Sequence, residues 1–327
     1  MSEEALEVPD HLSAARADFS RSLAFIDGAF VPLSEARIPV RDFGLMYADM
    51  TYDVVHTWRG GFFRLDDHLD RFEASCAGLR LEPGLKRDAL AALLAELVDR
   101  SGLADTLVYF ACTRGQAPPG SRDPRAATNR FFAYAQPLVI RGQPDEMRRG
   151  LNATISRDIR RIPGSSVNPV WKNTHWGDFT RALFLAKDGG FDTTILLDHD
   201  GNVAEGPGFN VVAVTHEGLL AADAGVLEGI SCRTMMEIAA DLGIGGRYGR
   251  LAPEMLAGAE EAFITSTSCG LFPLTRLDGA PIGQGRPGPV TTRLLNTYYR
   301  RKNEGWRITP VASLLPSAAN AAARRAS

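Results

Sequence analysis

The chain has 327 residues, which at roughly 150 residues per domain suggests two domains. Hydrophobic residues at 45% and charged residues at 23% are the mix of a folded globular chain, so wholesale disorder, collagen-like repeats and a disulfide scaffold are excluded as descriptions of the whole. With 36 basic against 39 acidic side chains the formal charge is −3, which leaves no electrostatic footprint for nucleic acid or an anionic membrane surface.

In chain order, residues 1–22 lack apolar periodicity and read as an N-terminal arm, acidic and polar at first, with no secretory signal pattern. Leu23 begins two short strands around Asp27-Gly28, a strong hairpin signal. Residues 49–58 are rich in β-branched and aromatic side chains, and Arg59-Gly60-Gly61 turns that strand into Phe62-Phe63-Arg64-Leu65. Asp66 is placed to cap a helix whose Leu69, Phe72, Cys76 and Leu79 fall on one side. A second helix over 86–100 carries Leu90, Leu93, Leu94 and Leu97. Strands are predicted at 107–113 and 131–136, flanking a Pro/Gly/Arg loop at 114–130. These elements make a small lobe over 23–137, followed by a polar, turn-rich linker over 138–150.

A larger lobe then covers 151–310. Strands are predicted at 151–155, 193–198, 209–215 and 261–265, and helices near 176–188, 231–242 and 290–302. Residues 311–327 read as a flexible tail. Strands come in hairpins as often as in strand–helix–strand units, so the expected fold class is α+β, two lobes with mixed sheets. No apolar run approaches the roughly 18–20 residues of a membrane span. The four cysteines, Cys76, Cys112, Cys232 and Cys269, are scattered and read as buried free thiols of a cytoplasmic protein.

Lysine occurs only at 86, 172, 187 and 302. Lys86, Lys187 and Lys302 stand among charged or polar neighbours and read as solvated. Lys172 differs, lying in Val170-Trp171-Lys172-Asn173-Thr174-His175-Trp176. Two tryptophans within a few residues imply a desolvated amine of lowered pKa, which is what a Schiff-base lysine needs because only the neutral amine attacks a carbonyl. A lysine snorkelling out of an aromatic patch is the other reading.

Ala204-Glu205-Gly206-Pro207-Gly208-Phe209-Asn210 sets a carboxylate at the head of a tight turn, suited to a protonated ring nitrogen or equally to solvent. Leu227-Glu228-Gly229-Ile230-Ser231 opens a helix, and free helix-terminal amides are a natural phosphate site. Thr265-Ser266-Thr267-Ser268 adds hydroxyl donors. Arg71 lies off the apolar stripe of its helix, where a surface pair with Asp67 is the plain reading. The six histidines show no second histidine at ligand spacing, and no metal is expected.

Together these residues resemble the fold-type IV enzymes that use pyridoxal 5′-phosphate, the branched-chain and D-amino-acid aminotransferase group, and within it the (R)-selective amine transaminases. The likeness is carried by Ile26-Asp27-Gly28, Ala36-Arg37-Ile38-Pro39, Asp49-Met50-Thr51-Tyr52-Asp53-Val54, Phe63-Arg64-Leu65-Asp66-Asp67-His68, Lys172-Asn173 with Trp176-Gly177-Asp178, Glu205 to Asn210, and Asp278-Gly279 with Gly288-Pro289-Val290-Thr291. These motifs run collinearly from about residue 23 to 310.

The resemblance implies a site between the two lobes of a homodimer. In it Lys172 carries the cofactor as a Schiff base and shuttles the substrate proton. Glu205 keeps the pyridine nitrogen protonated. Arg71, the amides of Ile230 and Ser231 and the Thr267 hydroxyl bind the phosphate. Tyr52, Trp176 and Leu107 line the substrate pocket, as do Tyr47, which replaces a histidine common among relatives, and Ser268, in an altered Ser266-Thr267-Ser268-Cys269-Gly270 turn. Relatives hold the substrate carboxylate with a loop arginine, for which Arg114 and Arg122 are both candidates. The implied reaction moves an amino group from an (R)-amine or D-amino acid to a 2-oxo acid such as pyruvate. A D-amino-acid or branched-chain aminotransferase proper, or an aminodeoxychorismate-lyase-like enzyme, is the alternative on this fold. A scaffold that kept the fold and lost catalysis is a reading from another class.

Overall fold

A computed structural model describes residues 9, 12, 17–140 and 144–315; the remainder of the expected arm, residues 141–143 of the expected linker and 316–327 of the expected tail lie outside the described residues. Two compact units divide the chain, one formed by residues up to 139 from the arm onward together with 171–174 and the segment from 305, the other by 140–170 and 175–304.

In the first unit, β1 (Leu23–Ile26) and β2 (Ala29–Pro32) form the hairpin foreseen at Asp27-Gly28. Both turn residues have positive φ, 51° and 79°, the backbone a two-residue hairpin of this hand requires. A short helix, α1 (Phe43–Tyr47), ends at Ala48, whose φ of 55° turns the chain into β3 (Met50–Trp58) and β4 (Gly61–Phe63).

Helix α2 (Leu65–Leu79) buries Leu69, Phe72 and Cys76 as its spacing predicts, but its N-cap is Arg64, not Asp66. Asp66 and Asp67 sit instead in the first turn, where carboxylates favour the helix dipole. Helix α3 (Arg87–Ser101) covers the same core, with Leu90, Leu94 and Leu97 closed off from solvent.

Strands β5 (Thr106–Gln116) and β6 (Thr128–Pro137) are longer than expected, and Thr113 still pairs with Arg130. The predicted 114–130 loop therefore shrinks to 117–127. Gly115 is obligatory there: at φ +70° a Cβ would meet the Thr128 carbonyl oxygen at 1.7 Å. Val55, Phe62, Leu69, Phe72, Leu94, Val108 and Phe110 form the core between sheet and helices.

The second unit begins in the stretch read as a linker, which carries α4 (Pro144–Arg149) with Met147 fully buried. Then come β7 (Leu151–Arg160), α5 (Gly177–Asp188), β8 (Thr193–Leu197), β9 (Glu205–Gly206), β10 (Phe209–Thr215), β11 (Gly218–Ala222), α6 (Ile230–Asp241), β12 (Gly246–Gly249), α7 (Pro253–Ala257), β13 (Glu261–Ser266), β14 (Gly270–Leu277), β15 (Ala280–Pro281) and α8 (Pro289–Asn303). Their sheet has the order β12-β11-β10-β13-β14-β7-β8, with β9 on β10 and β15 on β14. Its β7–β8, β7–β14 and β11–β12 pairs are parallel and the others antiparallel.

Residues from 305 return to the first unit. The expected tail starts there as β16 (Ile308–Pro310) and α9 (Val311–Leu314). β16 pairs antiparallel with β4 and completes the order β16-β4-β3-β5-β6-β1-β2. Both units combine mixed or antiparallel sheets with packed helices, which is the α+β class expected. All four cysteines are buried and free of disulfides, and no described helix is long and apolar enough to cross a membrane.

Candidate active site

Residues 171–174 lie far along the chain from the first unit yet are bound into it. Gly78 of α2 provides the seat: a Cβ at that position would lie 2.1 Å from the Trp171 indole. Beside it, the Thr51 hydroxyl donates to the Lys172 carbonyl at 2.6 Å, and the Lys172 amide donates to Ser75 Oγ at 3.1 Å. Asn173 bridges antiparallel to Thr51, and the Thr174 hydroxyl donates to the Ala48 carbonyl. The Lys172 backbone is thus fixed from β3 and α2. Its Nζ lies 4.4 Å from the centre of the Tyr52 ring, within cation–π range. The residue is half-buried, less withdrawn than two nearby tryptophans suggested, because Trp176 is itself 36% exposed.

Tyr52 is buried and stacks on Tyr109 at 4.9 Å, and Tyr109 stacks on Tyr134 at the same spacing. Burial pushes the Tyr109 and Tyr134 hydroxyls up from their ordinary pKa, so both are neutral donors at physiological pH. Leu107 is half-buried on β5, whereas Tyr47 and Arg122 are exposed.

Arg71 does not pair with Asp67, which is taken by Arg64. It grips the fully buried Asp53 of β3, with Nε to Oδ2 and Nη2 to Oδ1 both at 2.8 Å. His68 Nδ1 meets the same carboxylate at 2.8 Å. Burial works to raise the Asp53 pKa, but the Arg71 charge and the His68 hydrogen bond together hold it below the usual carboxylate range. Burial also lowers His68, which is therefore neutral. Ser75 Oγ donates to the Arg71 carbonyl at 2.7 Å while accepting from the Lys172 amide, so one hydroxyl connects the two residues.

Arg114 is committed elsewhere. It pairs with Asp49 through Nε at 2.9 Å and Nη2 at 3.1 Å, and donates to the carbonyls of Leu79 and Arg80 at 2.7 and 2.6 Å. Those bonds fasten the end of α2 to the start of β3. Of the two loop arginines expected to meet a carboxylate, only Arg122 stands in solvent.

In the second unit, Glu205 opens β9 as predicted and is buried. Its Oε1 accepts from Arg161 Nε at 3.0 Å and its Oε2 from the Leu227 amide at 3.2 Å. Arg161, which sequence reasoning passed over, also binds Asp178 at 2.6 Å and lies 4.1 Å from the centre of the Phe179 ring. A clue was present in Asp178, which belongs to the Trp176-Gly177-Asp178 motif. Trp176 is the N-terminal boundary residue of α5, edge-on to Phe179.

Asn210 Nδ2 donates to the Leu227 carbonyl at 2.9 Å, and a Cβ on Gly229 would lie 1.8 Å from Asn210 Oδ1. Gly229 is in turn the N-cap of α6 and offers no side-chain acceptor, so the amides of Ile230 and Ser231 start the helix without a side-chain cap. The turn after β13 holds Thr267 and Ser268 half-buried, with Ser268 Oγ 3.1 Å from Ser266 Oγ. Behind it Tyr298 packs against Gly270. Lys302, read as solvated, is instead 3% exposed, with Nζ 3.3 Å from the Tyr298 hydroxyl.

The donor set matches one group well. A fixed lysine amine suits a carbonyl, a buried carboxylate suits a pyridine nitrogen, and a guanidinium with uncapped helix amides suits a phosphate. Comparison with known proteins agrees. The family model described as amino-transferase class IV matches residues 50–277. The D-alanine aminotransferase of Bacillus licheniformis is 29% identical over 273 residues, 81% of this chain and 92% of that protein. Among solved structures, a branched-chain amino acid aminotransferase of Thermus thermophilus with pyridoxamine 5′-phosphate gives a TM-score of 0.82 at 28% identity, covering 88% of this chain and 98% of that one. The branched-chain aminotransferase of Thermoproteus uzoniensis with norvaline gives 0.79 at 28% identity, covering 88% and 99%.

Proposed function

The chain belongs to the class IV aminotransferases, enzymes of fold type IV that use pyridoxal 5′-phosphate, and from that premise we propose that it moves an amino group from an (R)-amine or D-amino acid to a 2-oxo acid such as pyruvate. The observation that carries this reading is the fixation of Lys172 by Thr51 and Ser75 with its amine against Tyr52. When bound, the cofactor supplies an electron sink that makes a substrate C–H bond acidic.

The chain's own residues do the rest. Lys172 Nζ binds the cofactor, then accepts the proton from the substrate carbon and returns it to the cofactor side. Glu205 keeps a proton on the pyridine nitrogen, and Arg161 with the Leu227 amide fixes its carboxylate. Arg71, the amides of Ile230 and Ser231 and the Thr267 hydroxyl hold the phosphate. Tyr47, Tyr52, Leu107, Trp176 and Ser268 shape the substrate pocket.

A donor without a carboxylate is supported by the commitment of Arg114 to Asp49 and two carbonyls. A D-amino acid is the second reading. It is supported by the likeness to D-alanine aminotransferases and by exposed Arg122, which can meet a carboxylate. We also propose a homodimer, supported by the exposed Val40, Leu45, Met46 and Tyr47 around α1.

The test is the visible spectrum of cofactor-loaded protein titrated separately with (R)- and (S)-1-phenylethylamine, D-alanine and L-leucine. Bleaching by the (R)-amine supports the first reading. Bleaching by D-alanine alone moves the donor to D-amino acids, and by L-leucine alone to branched-chain L-amino acids. A spectrum unmoved by all four refutes the transaminase assignment of donors.

A further inference from the structure

We propose that Asp53 is the positioning residue that fixes the Arg71 guanidinium for the cofactor phosphate, an inference that rests on the reading of Arg71 given above. Asp53 has no exposed surface and faces α2 from β3. Its Oδ1 receives the Val54 amide at 2.7 Å, His68 Nδ1 at 2.8 Å and Arg71 Nη2 at 2.8 Å, while Oδ2 receives Arg71 Nε at 2.8 Å.

Electrostatics alone gives no reason for this carboxylate. A negative charge beside a phosphate-binding arginine repels the phosphate and offsets part of the attraction that the guanidinium provides. What a two-point contact supplies is orientation. It uses Nε–H and one Nη2–H, one edge of the planar fork, and so sets the plane and direction of a side chain that otherwise has many rotamers. His68 strengthens the arrangement from the other side. Burial keeps it neutral, so its Nδ1–H donates to Asp53 without adding a second positive charge. Arg71 is also held at its backbone, where its carbonyl accepts from Ser75 Oγ.

The experiment measures dissociation constants of the full-length apoprotein for pyridoxal 5′-phosphate and for pyridoxal, which lacks the phosphate, by absorbance and fluorescence titration. Asp53→Asn keeps the shape and one acceptor but loses the two-point ionic grip. It is expected to weaken pyridoxal phosphate binding by about tenfold or more while leaving pyridoxal within about twofold. In an Arg71→Gln background the Asp53 substitution should add nothing, as residues acting through one another are not additive. Arg71→Lys, which keeps the charge but cannot make the two-point contact, should lose most of the phosphate preference as well. It serves in place of Asp53→Asn if that variant does not fold.

Equal weakening of both ligands in Asp53→Asn, tighter phosphate binding in that variant, or a wild-type preference in Arg71→Lys each overturns the proposal. If Arg71→Gln removes the preference while Asp53→Asn retains it, only the role of Asp53 fails. If Arg71→Gln retains it, the phosphate role of Arg71 and this proposal fail together.

Discussion

The Arg161 guanidinium stands between Glu205 and Asp178, 3.0 Å from one carboxylate and 2.6 Å from the other, with all three side chains almost closed to water. A buried cation shared by two buried anions cannot be removed without leaving both uncompensated. Arg161→Met is therefore expected to cost about 3–5 kcal/mol of folding stability, read by denaturant unfolding. Asp178→Asn, which spares the Glu205 contact, should cost less. Equal stability of Arg161→Met and wild type would refute the pairing.

Lys172→Ala should abolish transamination while leaving the fold intact, because the backbone contacts to Thr51 and Ser75 do not involve the side chain. A positioned base contributes about 10²–10⁴-fold to rate, and the covalent attachment is lost as well. Steady-state assay with far-ultraviolet circular dichroism as the folding control reads both. Turnover close to wild type would remove Lys172 from the reaction.

Arg114 and Arg122 separate stability from substrate binding. Arg114→Leu breaks the Asp49 ion pair and two bonds to the end of α2, and should lower the unfolding free energy by roughly 1.5–3 kcal/mol. Arg122→Ala, on an exposed loop, should stay within about 0.5 kcal/mol of wild type yet raise KM for the 2-oxo acid. The reverse pattern would reassign the carboxylate contact to Arg114.

The His68–Asp53 pair makes stability fall in acid. His68 in the fold is lowered from its ordinary 6.5, so the unfolded chain binds its proton more readily, and stability is lost as pH falls below about 6.5. Asp53 is lowered from 3.8, so its stabilisation is complete above that value and lost as pH falls further. His68→Gln should flatten the first part of the slope, by up to about 1.4 kcal/mol per pH unit, and leave the second. Denaturant midpoints between pH 3.5 and 8 read this; an unchanged slope between pH 5 and 6.5 would show that His68 is not the group responsible.

Local pattern was enough for the residues whose setting is itself local. Lys172 stood out because its neighbours are aromatic, and Glu205 because glycine and proline surround it. The helices from α2 to α8 with a clear apolar face were legible within a residue or two at most ends. Residues defined by distant partners were not. Arg161 follows Arg157 and Arg160 and looks like one more surface charge; its partners lie 17 and 44 positions away. Lys302 follows Arg300 and Arg301, but α8 turns it inward onto Tyr298 one helical turn back. Strand β14 was missed because Pro273 sits at its middle, a residue that removes a ladder donor and argues against a strand. Arg71 was singled out correctly, yet its partner was misassigned, since the i,i+4 acid is nearer in sequence than the β3 carboxylate beneath it.

The return of 171–174 and 305–315 to the first unit sets an order on synthesis. Thr51 and Ser75 leave the ribosome about a hundred residues before Lys172 arrives to meet them, and the edge strand that β4 needs comes last of all. A nascent chain carrying only the first 140 residues has an unfinished sheet, with the edge of β4 uncovered and the seat at Gly78 without its indole. Edges of that kind invite pairing with other chains. A fragment ending near residue 140 should therefore aggregate when expressed alone, and supplying the missing segments in trans should rescue it.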